Sequence, residues 1–347
     1  MVKSPKFQWF DRSLPYEQRR RRFAWLVVGV VMIVGLAVSS LSRAVAPEQR
    51  VSGIESLIAQ APEKFIEKPV EGEGKDKIVL LRVEGILFDE EGSNFSSGIV
   101  DVERLAKQID QAKDDQDVKA VILLVNSPGG SVTASDTIYK KIIELKAAGK
   151  KVVVLMREVA ASGGYYIASP ADKIIANQGT LTGSIGVILQ SVDVQGLFDK
   201  VGLKTVTFKA GKFKDILSPT RDITDEERQL IQNLIDEAHG QFITAISEGR
   251  QLDRTKVVEL SDGRIFSGEG ARKAGLVDEL GNLPETIKIA KELAGVEQAR
   301  VVEYTSIFGG LESLFPFFGF SGGAKAVLGE VSPELTLKPG LYYLWLP

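Results

Sequence analysis

The sequence predicts an α/β protein: a mainly parallel sheet with flanking helices, preceded by one N-terminal transmembrane helix. Three observations carry this. Uninterrupted apolar runs recur as KIVLLRV from Lys77, KAVILLV over 119–125 and KVVVLM over 151–156. The segments between them place apolar residues at helical spacing. Residues 23–41 form an uncharged run of 19 residues bounded by Arg22 and Arg43, close to the ~20 a helix needs to cross a bilayer. Strands that are apolar at every position are covered on both faces. In strand–helix–strand order, such strands pair in parallel through right-handed crossovers.

The N-terminal tail, residues 1–22, carries seven positive charges against two negative. By the positive-inside rule it stays cytoplasmic, and the chain beyond residues 23–41 is exported. The run exceeds the ~7–15 apolar residues of a cleavable signal peptide, so an uncleaved anchor is expected despite Ala44-Val45-Ala46, which has the look of a cleavage site. Residues 42–76 hold Pro47, Pro62, Pro69, Gly72 and Gly74 and read as a linker with one short helix over 54–60. A folded domain spans 77–300. Within it, Val102, Leu105, Ala106, Ile109 and Ala112 mark a helix over 102–113, and Ile138, Ile142, Ile143 and Leu145 mark another over 131–148. Shorter strands are expected over Lys173–Ala176 and 186–189. Thr224 with Glu227 forms a capping box. Leu230, Ile231, Leu234, Ile235, Ala238, Phe242 and Ile246 continue it as a helix of about six turns. A last helix covers 284–294. Residues 301–347 form an apolar C-terminal extension, with five Phe within IFGGLESLFPFFGF and LYYLWLP behind it; packing in the core or between subunits is its expected use, ahead of a substrate groove or lipid contact.

Composition removes several chemistries. The 347 residues include one histidine, His239, and no cysteine, so thiolate nucleophiles, disulfides and Cys-ligated metals are out, and a single histidine argues against a zinc site or a His cluster. His239 falls inside the long helix, far from any acid–base motif, and reads as a packing or surface residue. The net charge of −3 gives no footprint for a nucleic-acid partner.

Three glycine-containing turns follow strand candidates: NSPGGSV at 126–132, AASGGYY at 160–166 and TGSIGV at 182–187. Ligands of parallel sheets bind beyond the carboxyl ends of the strands. A Gly-Gly turn entering a helix brings backbone N–H groups close to a bound atom. No phosphate-loop spacing is present, so the turns favour an acyl oxyanion over a nucleotide. AASGG is close to the nucleophile elbow G-x-S-x-G, although a serine before a helix is by default an N-cap. If Ser162 attacks a carbonyl, its proton cannot go to a cysteine or to a remote histidine. A lysine stripped of water can take it. The candidates are Lys209, Lys212 and Lys214. Lys214, beside Phe213 and Ile216-Leu217, has the most apolar neighbours, with Asp215 next to it.

Five segments, NSPGGSV, AASGGYYIASPAD, TLTGSIGV, GKFKDILSPTR and GEGARKAGLVDELG, occur in an order that resembles the signal peptide peptidase A family, membrane-anchored serine peptidases of the crotonase/Clp-protease-like fold. The likeness covers about residues 77–295. It implies Ser162 as nucleophile, Lys214 as general base, Ser184 as the hydroxyl that holds the lysine amine, and Gly129 and Gly163 as oxyanion donors. It implies no cofactor, apolar peptide substrates such as cleaved signal peptides, and a homo-oligomer, octameric in short family members, whose neighbouring subunits share each dyad. It places the catalytic domain on the outer side of the plasma membrane. The long family form carries two copies of the fold; this chain carries one, with serine and lysine together. A crotonase-type acyl-CoA enzyme, a non-catalytic membrane scaffold and a general peptidase for misfolded exported proteins are the alternatives.

Overall fold

The computed structural model describes residues 64–88, 98–305 and 341–345. The expected cytoplasmic tail, the anchor over 23–41, the helix over 54–60 and the Phe-rich run over 307–320 lie outside the described residues. Among the described residues no helix is long and apolar enough to cross a membrane.

The main sheet is built from β1 (Ile66–Glu71), β2 (Lys77–Glu84), β5 (Val118–Ser127), β7 (Lys151–Ala161), β8 (Lys173–Ala176), β11 (Glu279–Leu280) and β12 (Arg300–Thr305), in the order β1-β12-β2-β5-β7-β8-β11. Every neighbouring pair is parallel except β1 with β12. The three apolar runs are its centre. Their side chains alternate between two cores. Val79, Leu81, Val121, Leu123, Val152 and Val154 face one, and Ile78, Leu80, Ile122, Leu124, Val153 and Leu155 face the other. The first core is closed by α1 (Val102–Asp114), α2 (Val132–Ala147) and α3 (Gly163–Ala168). The second is closed by α8 (Leu283–Ala294), through Ile287 and Ala290. Burying one such side chain contributes about 1.5–3 kcal/mol, so helices on both faces account for strands with no polar position.

A second, smaller sheet stands at the carboxyl end of the first. It joins β3 (Ile86–Phe88), β4 (Ile99–Asp101), β6 (Gly129–Ser131) and β13 (Tyr342–Leu344) in the order β13-β6-β3-β4. β9 (Leu181–Gly183) extends the carboxyl end of β7 in parallel and pairs with β10 (Ile265–Ser267). The strand expected over 186–189 is not formed. The strand in this region is β9, and only an isolated bridge, Ile188 with Tyr342, marks the later position. Three strands fall outside the span 77–300: β1 lies in the expected linker, and β12 and β13 lie in the expected C-terminal extension.

After Ile185, burial falls away. α4 (Gln195–Val201) has no buried residue, and residues 201–210 are all exposed. The chain returns in α5 (Asp225–Arg250), whose capping box is formed as expected. α6 (Arg254–Leu260) and α7 (Gly268–Ala274) complete the helices. Along α5 the apolar stripe divides. Ala238, Phe242, Ile243, Ala245 and Ile246 are buried, whereas Leu230 and Leu234 are 39% and 47% exposed.

Candidate active site

Ser162 closes β7 and opens α3, and residues 161–170 are all buried. Its backbone has φ 52° and ψ −117°, and its side chain makes no capping hydrogen bond. The default role of a serine at this position is therefore not realised. A non-glycine residue in such a conformation costs of order 1–3 kcal/mol and persists where its surroundings impose it. Here they do. The Ser162 N–H donates to the Gly183 carbonyl at 2.7 Å, and the Ser162 carbonyl accepts from Tyr165 and Tyr166 at 2.9 and 2.8 Å. The strained strand-to-helix turn expected of a nucleophile elbow is thus present.

The bond to Gly183 also brings in the third glycine turn. Ser184, next to Gly183, is 9% exposed. It has φ 49°, and its N–H donates to the Arg264 carbonyl at 2.8 Å. Two serines with positive φ are therefore tied together by one backbone hydrogen bond.

Gly163 occupies the first position of α3, where the N–H has no acceptor within the helix. Gly129 packs against it. A Cβ at Gly129 would stand 2.6 Å from the Gly163 nitrogen, and Gly129 itself has φ 99°. A side chain at either position would intrude on the other's backbone. The N–H of Gly129 is engaged, however, donating to Ser127 Oγ at 3.1 Å. The neighbouring Gly130 is instead paired with Tyr343 across β6 and β13. Ser127 is fully buried, and Ser131 caps α2. Neither is placed as a nucleophile.

Lys214 stands apart from this cluster. It lies in a run of turns between α4 and α5, is exposed, and makes no side-chain hydrogen bond or ion pair among the described residues. The apolar setting expected from its neighbours is only half met, since Phe213, Ile216 and Leu217 are half-buried. Asp215 does not pair with it. Arg221 donates to Asp215 through Nε at 3.0 Å and Nη2 at 2.8 Å, and Lys209 also pairs with Asp215. These cations hold the Asp215 carboxyl well below its ordinary range, Arg221 having the larger effect. Lys212 pairs with Glu226. Of the three candidate lysines, only Lys214 has an uncommitted amine among the described residues. His239 is half-buried on α5 with no partner for its buried Nε2 among the described residues, as a packing histidine would be.

One participant is not evident from the sequence. Tyr342–Leu344 pairs antiparallel with Gly129–Ser131, so a strand from the expected extension forms one wall of the glycine turn. Only the apolar character of LYYLWLP could have signalled it.

No group of three or more His, Asp or Glu side chains able to hold a metal occurs among the described residues. What the cluster offers is a strained serine and a helix-start N–H, which suits acyl transfer.

Comparison with known proteins agrees. Residues 144–297 match peptidase family S49, and residues 96–180 match the Clp protease family. The protein named "Putative signal peptide peptidase SppA" of Enterococcus faecium is 35% identical over 289 residues, covering 81% of this chain and 83% of the relative. Protease 4 of Haemophilus influenzae is 36% identical over 238 residues, 67% of this chain but 37% of that protein. The chloroplastic serine protease SPPA of Arabidopsis thaliana is 32% identical over 275 residues, 77% of this chain and 40% of that protein. With a Clp-protease-like α/β fold and a relative matched over most of both chains, this chain belongs to peptidase family S49 and is a serine protease.

Proposed function

We propose that the protein is a membrane-anchored endopeptidase that hydrolyses apolar peptides, cleaved signal peptides among them, with a Ser162/Lys214 dyad. Ser162 Oγ attacks the peptide carbonyl carbon while the neutral Lys214 amine takes its proton. The tetrahedral intermediate collapses to an ester, and Lys214 delivers the proton to the leaving amine. Water, deprotonated by the same amine, then releases the acid and regenerates Ser162. Ser184 orients the amine. The Gly163 N–H stabilises the oxyanion, with a second donor from the Gly129-Gly130 turn; losing one such donor costs roughly 10²–10³ in kcat. Because Ser127 holds the Gly129 N–H, Gly129 either turns from Ser127 when substrate binds or yields the role to Gly130. No cofactor enters this chemistry.

The observation that carries the reading is Ser162 itself: buried, strained, uncapped and followed by a helix-start N–H. A second observation concerns Lys214. Its surroundings, residues 189–223, leave Val206 74% and Phe208 94% exposed. Such a surface fits a partner of its own kind, and cover by a second copy would also favour the neutral amine by excluding water. The dyad is then shared, with Lys214 of one copy serving Ser162 of the next in a closed homo-oligomer. The anchor over 23–41, with the basic tail inside and residues 77–300 as the outer peptidase domain, would hold the site where cleaved signal peptides remain. The name of the Enterococcus faecium relative favours that substrate class.

The test is hydrolysis of a fluorogenic apolar peptide by the full chain in detergent. Ser162→Ala and Lys214→Ala are each expected to be inactive. Co-assembled, the two variants are expected to recover part of the wild-type rate. A dead mixture of two dead variants would place the dyad within one chain. Wild-type turnover by Ser162→Ala would overturn the nucleophile assignment.

A further inference from the structure

The slot beside the catalytic turn is filled by the chain itself. Residues 341–345 run antiparallel to β6 on one side: Trp345 N–H donates to the Pro128 carbonyl at 2.9 Å, and Val132 N–H donates to the Leu341 carbonyl at 3.2 Å. On the other side, Ile188 and Tyr342 exchange both backbone hydrogen bonds, at 3.0 and 3.1 Å. An extended segment hydrogen-bonded on both edges, one edge being the glycine turn of the site, has the geometry by which a peptide is added to a sheet. Tyr343, at the centre, carries its carbonyl oxygen to the site. A Cβ at Gly163, the residue after Ser162, would stand 3.0 Å from that oxygen, and a Cβ at Gly129 would overlap it.

The side chain of Tyr343 enters a built pocket. It is fully buried, stacks on Tyr166 with ring centroids 5.1 Å apart and tilts against Phe242 at 4.6 Å. Its hydroxyl donates to the Ala238 carbonyl on α5 at 2.7 Å. Tyr166 is itself held by Asp136, at 3.1 Å, so the pocket wall is fixed.

We propose that residues 341–345 occupy the strand slot in which a peptide substrate binds, and that Tyr343 marks the subsite for the residue contributing the attacked carbonyl. This rests on Ser162 being the nucleophile. The pocket takes an aromatic side chain between Tyr166 and Phe242, and the Ala238 carbonyl at its end favours tyrosine over phenylalanine, because without the hydroxyl that buried acceptor loses its partner. Peptide substrates displace β13, so the strand acts as an internal competitor.

The experiment uses the full chain in detergent, with a site-specific protease sequence inserted within residues 306–340. Cutting there detaches β13 without altering its residues. Cutting is expected to raise both hydrolysis and fluorophosphonate labelling of Ser162 by about tenfold or more. The synthetic peptide LYYLW is expected to reverse the gain, and LYALW to need at least about tenfold more to do so. In the uncut chain, substrates with Tyr rather than Ala at the residue before the cleaved bond are expected to react at least about tenfold faster, and Tyr faster than Phe by a few-fold. That ratio reads the subsite even if the cut chain loses its fold. A Tyr-to-Ala ratio near one, or a folded cut chain with unchanged rates that ignores LYYLW, overturns the proposal and makes β13 a wall of the scaffold. The Ser162→Ala variant separates the two levels: if it still hydrolyses peptide, the nucleophile assignment has failed instead.

Discussion

The half of the molecule that holds Ser162 and the arm that holds Lys214 are built on opposite terms. Around Ser162 every residue from 161 to 170 is buried, and the backbone is fixed in a strained conformation by three hydrogen bonds. Around Lys214 the chain turns repeatedly and leaves large apolar side chains in water. It is held by ion pairs from Arg221 and Lys209 to Asp215. The first region is finished by folding of one chain. The second has the surface of something finished by association, since exposed apolar area on this scale marks an interaction site. The difference suggests a peptidase whose nucleophile is set by the fold and whose base is set by assembly.

The largest effect that tests this division is on catalysis. Ser162→Ala is expected to lower kcat by roughly 10⁴-fold or more, as loss of a nucleophile does, without moving the melting temperature downward, because the strain at φ 52° is not relieved by keeping a Cβ. Lys214→Arg is expected to be nearly as inactive as Lys214→Ala, because a guanidinium keeps its proton. An Arg variant that retains more than a tenth of the wild-type rate would show that Lys214 supplies only charge.

The next effect sets stability against assembly. Ile122→Ala, in the core beneath α8, is expected to cost about 2–5 kcal/mol in the denaturant unfolding of the chain. Phe208→Asp is expected to cost the unfolding free energy of the chain less than about 0.5 kcal/mol, yet to reduce the mass seen by light scattering to that of a smaller assembly and to lower the hydrolysis rate with it. A Phe208→Asp protein of unchanged mass and activity would return the arm to the status of ordinary surface.

Legibility in the sequence divides along the same boundary. KIVLLRV, KAVILLV and KVVVLM were legible as parallel strands because burial on both faces leaves no polar position to blur the pattern. Lys173–Ala176 was legible at its observed limits for the same reason. The second sheet was not, because three-residue strands such as β3, β4 and β6 are too short to show a period. The strand expected over 186–189 failed because pairing there depends on Tyr342, which local sequence cannot supply. At the site, the glycine turns and the need for a lysine could be argued from residue types. The choice of Lys214 could not, since its apolar neighbours are only half-buried in the chain, and the family resemblance had to make it. Nor could the sequence show that Ser127 would hold the N–H of Gly129, because that turns on one hydroxyl's direction.

The smallest effect concerns what holds the arm in place. Arg221 spans two elements: it pairs with Asp215, beside Lys214, and with Glu227, the capping residue of α5, through Nη1 at 2.9 Å and Nη2 at 2.5 Å. Glu227 also accepts from the Thr224 N–H at 3.0 Å. Arg221 first, and then Thr224, pull the Glu227 carboxyl down to about 2, and Asp215 is lowered as well. A carboxylate depressed in the folded state adds stability above its unfolded value, about 4, and loses it as the pH falls through the folded value. The Arg221 contacts therefore stabilise the arm fully at neutral pH and fade between about pH 4.5 and about pH 2, the lower limit being set by Glu227. Arg221→Ala is expected to lower the melting temperature modestly at pH 7 in low salt, with the gap to wild type closing as the pH falls through that window. Because the arm carries Lys214, the variant should also lose several-fold in kcat with KM little changed. A gap that stays constant from pH 7 to pH 2 would mean that Arg221 acts by packing its stem, and that these ion pairs do not position the base.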